Sequence, residues 1–375
     1  MLRVTHVIKV TNIAGAETHL LTLLAGLRAR QIDAQLIMLV EPGKPMDAYV
    51  EALNRRDVPV QRLVIRGDLD PTLPPRMRGL LRLMKPHIVH THLFHADLYG
   101  LLTAGWACPN AALVTSRHND NAFRRREPYR RLNRWLWRVA DAGIAISGSI
   151  ARFAVEVEGA PAPKIETIPY GLDYVPQQPA QRQAARQAMR QSLGLSDETP
   201  VAGIVCRLVE QKGVPYGLQA FARVLEALPD ARLLIAGDGP LRADLEAQAE
   251  ALGLGDRVQF LGWREDVPQL MTAFDLLLLP SLWEGFGLVI LEAMACQIPV
   301  VASAVSAIPE IMVDGETGLL AAPGDVDGLS RALVILLGDM PLRRHMGMLA
   351  EDRLETHFSA RRMVDSTVKL YQRLI

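Results

Sequence analysis

Short runs rich in Val, Ile and Leu recur along the chain, separated by longer stretches with apolar residues at i, i+3 and i+4. The short runs predict strands and the longer stretches amphipathic helices; their regular alternation predicts an α/β chain built on parallel sheets. In the first half, strands are predicted at residues 4–10, 34–40, 58–64, 87–92, 111–116, 143–146 and 165–168, with helices such as 17–30 and 96–107 between them. The rhythm stops at Ile168-Pro-Tyr-Gly-Leu-Asp-Tyr-Val-Pro176. After a Gln/Ala/Arg-rich helix at 180–193, a second series predicts strands at 201–206, 231–236, 258–261, 276–279 and 300–303. Two series joined by a Pro/Gly-rich stretch predict two doubly wound domains, 1–175 and 176–357, with a hinge near 170–195. The tail reads as helices, the last of them (about 358–375) packing back on the first domain. Ligands in such sheets bind beyond the carboxyl ends of the strands, so a ligand shared by both domains is expected in a cleft between them.

The length of 375 residues agrees with two cores. A composition 49% hydrophobic and 22% charged excludes disorder and fibrous structure. No apolar run reaches the roughly 18 residues of a membrane span, and the first ten residues do not read as a signal peptide. Three scattered cysteines argue against a disulfide framework and for a reduced, cytoplasmic protein. Charge is uneven: residues 1–175 carry a net +7 and residues 176–375 a net −7. The basic half suits an anion, a phosphorylated acceptor or the inner face of a membrane. Nucleic acid is not expected, because neither a stacking-aromatic nor a helix-turn-helix signature accompanies the charge.

The strongest chemical signal is Pro280-Ser-Leu-Trp-Glu-Gly-Phe-Gly-Leu-Val-Ile-Leu-Glu-Ala-Met-Ala295, an apolar strand running through glycines into a helix near Leu288. A helix start offers free N–H groups and a favourable dipole to an anion. Glu284 stands before that start and Glu292 eight residues on, about two helical turns, so both carboxylates are candidates for ligand hydroxyls; the alternative is capping by Glu284 and a surface Glu292. Cys206-Arg-Leu-Val-Glu-Gln-Lys-Gly213 follows the first strand of the second domain, so Arg207 and Lys212 can clamp a diphosphate or else be solvated surface cations. Thr11-Asn-Ile-Ala-Gly-Ala-Glu-Thr18 and Ala236-Gly-Asp-Gly-Pro240 are further strand-to-helix glycine turns, each weak alone.

His87-Ile-Val-His-Thr-His-Leu-Phe-His95 holds four of the nine histidines. Strand alternation puts His90 and His92 on one face and His87 on the other, with His95 past the strand end, so convergent zinc ligation is not expected. His92 is instead placed within reach of a reacting sugar, with hydrogen-bonded structural histidines as the alternative. Ser116-Arg-His-Asn-Asp-Asn-Ala-Phe-Arg-Arg-Arg126 and the Arg/Trp-rich stretch up to Arg138 suit a phosphate-bearing acceptor or an anionic membrane, or an ordinary solvated face with Trp135 or Trp137 in the core. The pairs Asp68/Asp70 and Asp325/Asp327 read as turn or cap residues.

Taken in order, Gly15-Ala-Glu, His90-Thr-His92, Ile168-Pro-Tyr-Gly-Leu-Asp173, Arg207…Lys212-Gly213, Gly237-Asp-Gly-Pro240, Val258-Gln-Phe-Leu-Gly262, Glu284-x7-Glu292 and Asp314-Gly-Glu-Thr-Gly318 resemble family-4 retaining glycosyltransferases of the GT-B type, over almost the whole chain. The resemblance implies two Rossmann-like domains facing across a cleft, and transfer of a hexosyl unit from a nucleoside-diphosphate sugar to a saccharide or lipid-linked acceptor. It assigns Arg207 and Lys212 to the diphosphate, approached by the Gly15 and Ala16 backbone. It assigns Glu284 with the amides of Phe286, Gly287 and Leu288 to the sugar, and Glu292 to the ribose. Gly237 and Gly262 would adjoin the donor, the 258–262 stretch lying by the base, and His92 the anomeric centre. His92, Arg207, Lys212 and Glu284 are thus the expected catalytic set. Charge places the acceptor at His118, Asn119, Arg124, Arg125 and Arg126. No metal or other cofactor is implied.

Several positions depart from the family pattern: Cys206 and Gln297 stand where Gly is usual, Ala14 replaces the first of a Gly pair, and Tyr170 a frequent Asn. None removes a charged group. The competing readings are a sugar-nucleotide epimerase of the same architecture and a non-catalytic nucleotide-sugar-binding subunit. An NAD-dependent oxidoreductase is disfavoured by the missing glycine fingerprint.

Overall fold

The structure, a computed structural model, describes residues 1–375 apart from the side chain of Ala122. The chain forms two units, Met1–Asp173 with Ser359–Ile375 (unit 1) and Tyr174–Phe358 (unit 2).

Unit 1 is built on seven strands, β1 (Arg3–Val10), β2 (Asp33–Val40), β3 (Val60–Val64), β4 (Ile88–His92), β5 (Ala112–Arg117), β6 (Ala142–Ala145) and β7 (Ile165–Thr167), in the order β3-β2-β1-β4-β5-β6-β7. Every pairing is parallel. Period-two alternation sorts the side chains between two cores. Val4, Ile8 and Val10 face helices Gly15–Ala29 and Ala360–Leu374, whereas Val7, Ile37 and Val89 face helices Leu73–Met84 and Tyr129–Val139. Met363, Val364, Leu370 and Tyr371 bring the Ala360–Leu374 helix into the first core. Gly26 matters there, because a Cβ would collide with Val364.

Unit 2 holds β8 (Val201–Val205), β9 (Arg232–Ala236), β10 (Val258–Gly262), β11 (Leu276–Leu279), β12 (Val300–Ser303) and β13 (Gly318–Ala321), all parallel, in the order β10-β9-β8-β11-β12-β13. Its core gathers Ile204, Leu218, Phe221, Leu278 and Leu333, all fully buried. Each such side chain contributes about 1.5–3 kcal/mol through burial.

Most predicted strands lie within two residues of the observed ones, but two elements differ. Strand β13 was not expected: it has four residues and begins at Gly318, whose backbone sits at φ +156° against the Val300 carbonyl, where no other side chain fits. The helix expected at 96–107 is not continuous. It breaks into Leu93–Ala96, a π-turn at Asp97–Leu101 and Leu102–Ala107. The buried Asp97 carboxylate anchors the wide turn, accepting from Thr91 Oγ1 (2.7 Å), Thr115 Oγ1 (2.6 Å) and Arg117 (2.7 Å). Among the described residues no helix is long and apolar enough to cross a membrane.

Candidate active site

In unit 2 the strand order reverses between β8 and β11, which are neighbours. The crevice beyond such a switch point is where doubly wound sheets bind ligands. The two strongest motifs leave these two strands, and their loops are laced together: Leu282 N–H donates to the Gln211 carbonyl (2.8 Å), and Gln211 Nε2 to the Trp283 carbonyl (3.0 Å). Gly213, at φ +59°, passes so close to the Pro280 carbonyl that a Cβ would collide with it. Gly237 makes the same kind of contact with the Cys206 carbonyl.

Lys212 and Glu284 form an ion pair across these loops. Ser281 Oγ donates to the same carboxylate (3.1 Å), and the Glu284 N–H reaches Ser306 Oγ (3.3 Å). Neither serine was singled out from the sequence. Arg207 is exposed and, among the described residues, has no ion-pair partner. One cation of the expected clamp is therefore free and the other is held by the carboxylate assigned to the sugar. Burial pushes the neighbouring Cys206 thiol up to about 12, against the pull of Lys212, so it stays a neutral thiol.

Gly287, at φ +96°, is the last residue before helix Leu288–Ala295 and turns the chain into it. The first N–H groups of that helix have no intrahelical carbonyl to bind. Residues 284–287 are not helical, so the two-turn spacing argument for Glu284 and Glu292 fails. Glu292 lies four residues inside the helix, just over one turn from Leu288, on the side of the helix entrance. Desolvation raises its carboxyl pKa. The Phe286 ring is buried against Phe358. Gly262, at φ +69°, accepts from the Gly237 N–H (2.8 Å), tying the β9 and β10 exits together.

Unit 1 has its switch point between β1 and β4. Gly15 opens the helix after β1, followed by Ala16, and Glu17 Oε2 accepts the Ala14 N–H (3.0 Å). Burial raises the Glu17 carboxyl pKa although backbone hydrogen bonds oppose the shift.

The β1–β4 register sets His6 beside His90, and His92 lies two residues on, on the same face. One continuous run of hydrogen bonds follows. Tyr170 Oη meets His118 Nδ1 (2.6 Å), His118 Nε2 meets His92 Nδ1 (3.0 Å), and His92 Nε2 meets His6 Nδ1 (2.9 Å). His6 Nε2 reaches Tyr371 Oη (3.4 Å), which meets His90 Nδ1 (2.6 Å), and His90 Nε2 ends on Ser116 Oγ (2.7 Å). A neutral imidazole donates from one nitrogen and accepts at the other, so the stretch from Tyr170 to His6 shares one direction, and the run can turn only at the Tyr371 hydroxyl, which is able to accept from both sides. Burial lowers the pKa of His90, His92 and His118 well below 6.5, and that of His6 to about 3, with neighbouring imidazoles adding to the shift. His19 stacks on Tyr170 (4.3 Å between centroids) and is likewise lowered to about 3 by burial.

His92 is completely buried and both its ring nitrogens are taken. It is a neutral, fixed group with no accessible nitrogen for a sugar or a proton. His6, His90 and His92 do bring ligating atoms within 4.8 Å of one another, a convergence not foreseen because His6 lies on another strand. Each of those nitrogens is already committed to a protein hydrogen bond, which accounts for the cluster as a packed polar core. His87 instead pairs with Arg3 (Nε2, 3.0 Å) and His95 with Asp68 (2.8 Å).

The expected acceptor cluster divides. Arg124 is not on the surface: with Arg117 it grips the buried Glu158, at 2.7 and 2.6 Å. Trp137 Nε1 donates to the same carboxylate (2.9 Å), so Trp137 is the core tryptophan and Trp135 the exposed one. Although burial would raise its pKa, the two arginines hold Glu158 below the usual range. His118 belongs to the imidazole run. Neither Arg124 nor His118 offers an accessible polar atom, whereas Arg125 and Arg126 are exposed and Asn119 is half-buried. Asp70 accepts from Thr72 N–H (2.9 Å) and Asp325 from Gly328 N–H (2.9 Å), both as turn or cap residues.

Two family descriptions match the chain, Glycosyltransferase Family 4 over residues 13–174 and Glycosyl transferases group 1 over residues 185–353. D-inositol 3-phosphate glycosyltransferase of Nocardia farcinica is 32% identical over 321 residues, 80% of this chain and 68% of that protein. N-acetyl-alpha-D-glucosaminyl L-malate synthase of Bacillus anthracis is 36% identical over 178 residues, 48% of this chain and 46% of that one. The chain spans about half the length of the first curated relatives it matches. The crystal structure of HepE of Anabaena with UDP and glucose superposes with a TM-score of 0.86 at 23% identity, covering all of both chains. The fold is of the GT-B class, and the chain belongs to glycosyltransferase family 4.

Proposed function

We propose that the chain transfers a hexosyl unit, with retention and without a metal, from a nucleoside-diphosphate sugar to an acceptor in polysaccharide or glycolipid assembly. The observation that carries this is the pair of laced loops at the β8/β11 switch point, which pair Lys212 with Glu284 ahead of a glycine-led helix start, with Arg207 exposed on the same β8 exit loop. Breaking the anomeric C–O bond puts negative charge on the departing diphosphate, and cations with oriented N–H groups stabilise that charge. Arg207 and Lys212 take the diphosphate. Lys212 leaves Glu284 when donor binds, freeing the carboxylate for a sugar hydroxyl beside the amides of residues 286–288. Glu292 takes the ribose and the Gly262 turn adjoins the base. Retention follows from front-face attack, the departing phosphate accepting the acceptor's proton. His92 is not the base: it is held neutral in the interior of unit 1 with both ring nitrogens hydrogen-bonded. Asn119, Arg125 and Arg126 face the acceptor. The three cysteines are unpaired, in keeping with a cytoplasmic setting.

HepE was crystallised with UDP-glucose, which makes uridine sugars the first donors to try. Thermal-shift titration with UDP-, GDP- and ADP-sugars should raise the melting temperature with one base class. Lys212→Ala should remove most of that shift and slow transfer by roughly 2–4 kcal/mol in barrier. No shift with any nucleotide sugar, or rapid epimerisation without transfer, would overturn the proposal.

A further inference from the structure

Arg182, Arg186 and Arg190 recur every four residues along helix Pro179–Ser192 of unit 2, which sets them on one face. Across from Arg182 and Arg186 stand Arg343 and Arg344, near the start of helix Met340–His357, and between them lies a cavity of about 720 Å³. Pro200, Asp275 and Pro299 also line it, each just ahead of β8, β11 or β12, so it opens at the amino edge of the sheet. The loops that carry Lys212 and Glu284 leave the carboxyl edge, at the opposite end of the same strands.

The floor is short of negative charge. Asp275 accepts from Arg186 (2.7 Å) and Arg190 (2.9 Å), with Arg343 at 3.4 Å, and Arg182 faces Glu351 at 3.5 Å. Gln297, which stands where the family pattern has Gly, takes φ +55°, and its Nε2 holds Glu351 (2.6 Å). Four guanidiniums thus share two carboxylates, a surplus of two positive charges. Burial lowers the Arg343 pKa and the Arg186 charge adds to the fall, although Asp275 opposes it. The other carboxylates of the lining, Asp197 and Glu198, are exposed on the loop entering β8, leaving the floor to the arginines. Nor are the donors used up. Arg186 and Arg343 each spend one terminal nitrogen on backbone carbonyls and turn the other to Asp275, so their Nε–H groups have no partner among the described residues. The Arg182 Nε is buried and equally unpartnered. Arg344 is exposed, with no ion-pair partner among the described residues.

The rest of the wall is largely apolar, with Phe274, Ile298, Pro299, Met340 and Met348. Guanidinium forks with unspent N–H groups match the oxygens of a phosphate, and a surplus of two charges suits a dianion better than a single carboxylate. The apolar wall suits a ring or short hydrocarbon body carried by that phosphate. We propose that this cavity is a second small-molecule site, separate from the donor crevice, which binds a phosphate monoester with an apolar or aromatic body. Arg182, Arg186, Arg343 and Arg344 take the phosphate, and Ile298, Met340 and Met348 pack on the body. Because the site lies at the amino edge, it can fill while the crevice at the β8/β11 switch point is occupied.

The probe is 1-naphthyl phosphate, titrated into the full chain by calorimetry. Saturable one-to-one binding is expected, at least tenfold tighter than for inorganic phosphate or for 1-naphthol, each of which carries half of the recognised chemistry. Arg344→Glu and Met348→Glu alter exposed side chains and should each weaken binding at least fivefold with the melting temperature unchanged. Lys212→Ala, in the donor crevice, should bind the probe as wild type does. No saturable binding by wild type, or equal binding by wild type and both cavity variants, would overturn the proposal. So would loss of binding in Lys212→Ala, which would put the probe in the donor crevice. Inorganic phosphate binding as tightly as the probe would overturn it too, because the apolar wall would then contribute nothing.

Discussion

Acidification from pH 7.5 to 5.5 should destabilise unit 1 through its buried imidazoles. An imidazole free in the unfolded chain titrates near 6.5, whereas burial holds His6 and His19 down at about 3. Below pH 6.5 the unfolded chain therefore binds more protons than the folded one, so stability falls as pH falls, and the loss continues until the folded pKa is reached. Each of the two contributes about 1.4 kcal/mol per pH unit once below 6.5, or about 3 kcal/mol together between pH 7.5 and 5.5. His90, His92 and His118 are shifted in the same direction and steepen the loss. Against a typical total of 5–15 kcal/mol, this is enough to bring the unfolding transition close to mildly acidic conditions. Urea melts across that range, in a variant that keeps Trp137 as its sole tryptophan and with buffers matched in ionic strength, give the slope directly. His19→Phe retains a ring beside Tyr170 and should flatten the slope by one imidazole's share. A midpoint that does not move between pH 7.5 and 5.5 would refute the assignment of these rings as neutral and buried.

Two further outcomes are expected. Glu158→Gln leaves Asp97, among the described residues, as the one buried anion facing both Arg117 and Arg124 and should destabilise unit 1 by about 3–5 kcal/mol, read from the urea midpoint. Charge reversal at Arg125 and Arg126 should raise the acceptor KM several-fold while leaving donor KM and the melting temperature unchanged; an unchanged acceptor KM would remove these two residues from the acceptor surface.

The parallel sheets were legible because strands buried on both faces read as continuous apolar runs between amphipathic stretches. The motifs around residues 207–213 and 284–292 were legible because glycines mark strand-to-helix turns. The Glu284–Lys212 pairing was not, since it depends on β8 and β11 being neighbours although 70 residues and two strands separate them. The same holds for His6 and Tyr371, whose partnership with His90 is a matter of register and of a helix contributed from far along the chain. Arg124 looked like one of three equivalent surface arginines. Only Asp97 and Glu158, distant in sequence and unremarked as anions, explain why it turned inward. Periodicity also could not show the π-turn, because its apolar spacing differs from that of an α-helix by a single inserted residue.

Helix Ala360–Leu374 belongs to unit 1 but follows the whole of unit 2 in the chain. During synthesis, then, the β1–β7 sheet waits with one flank uncovered, its His6/His90 pair and the notch at Gly26 open to water, until that helix emerges. At ribosomal rates of about 5–20 residues per second the delay is on the order of ten seconds or more. Unit 2, though begun later, is able to finish first. A nascent chain stalled before Ala360 would be the species that chaperones and proteases see, and its half-built first unit the surface they recognise.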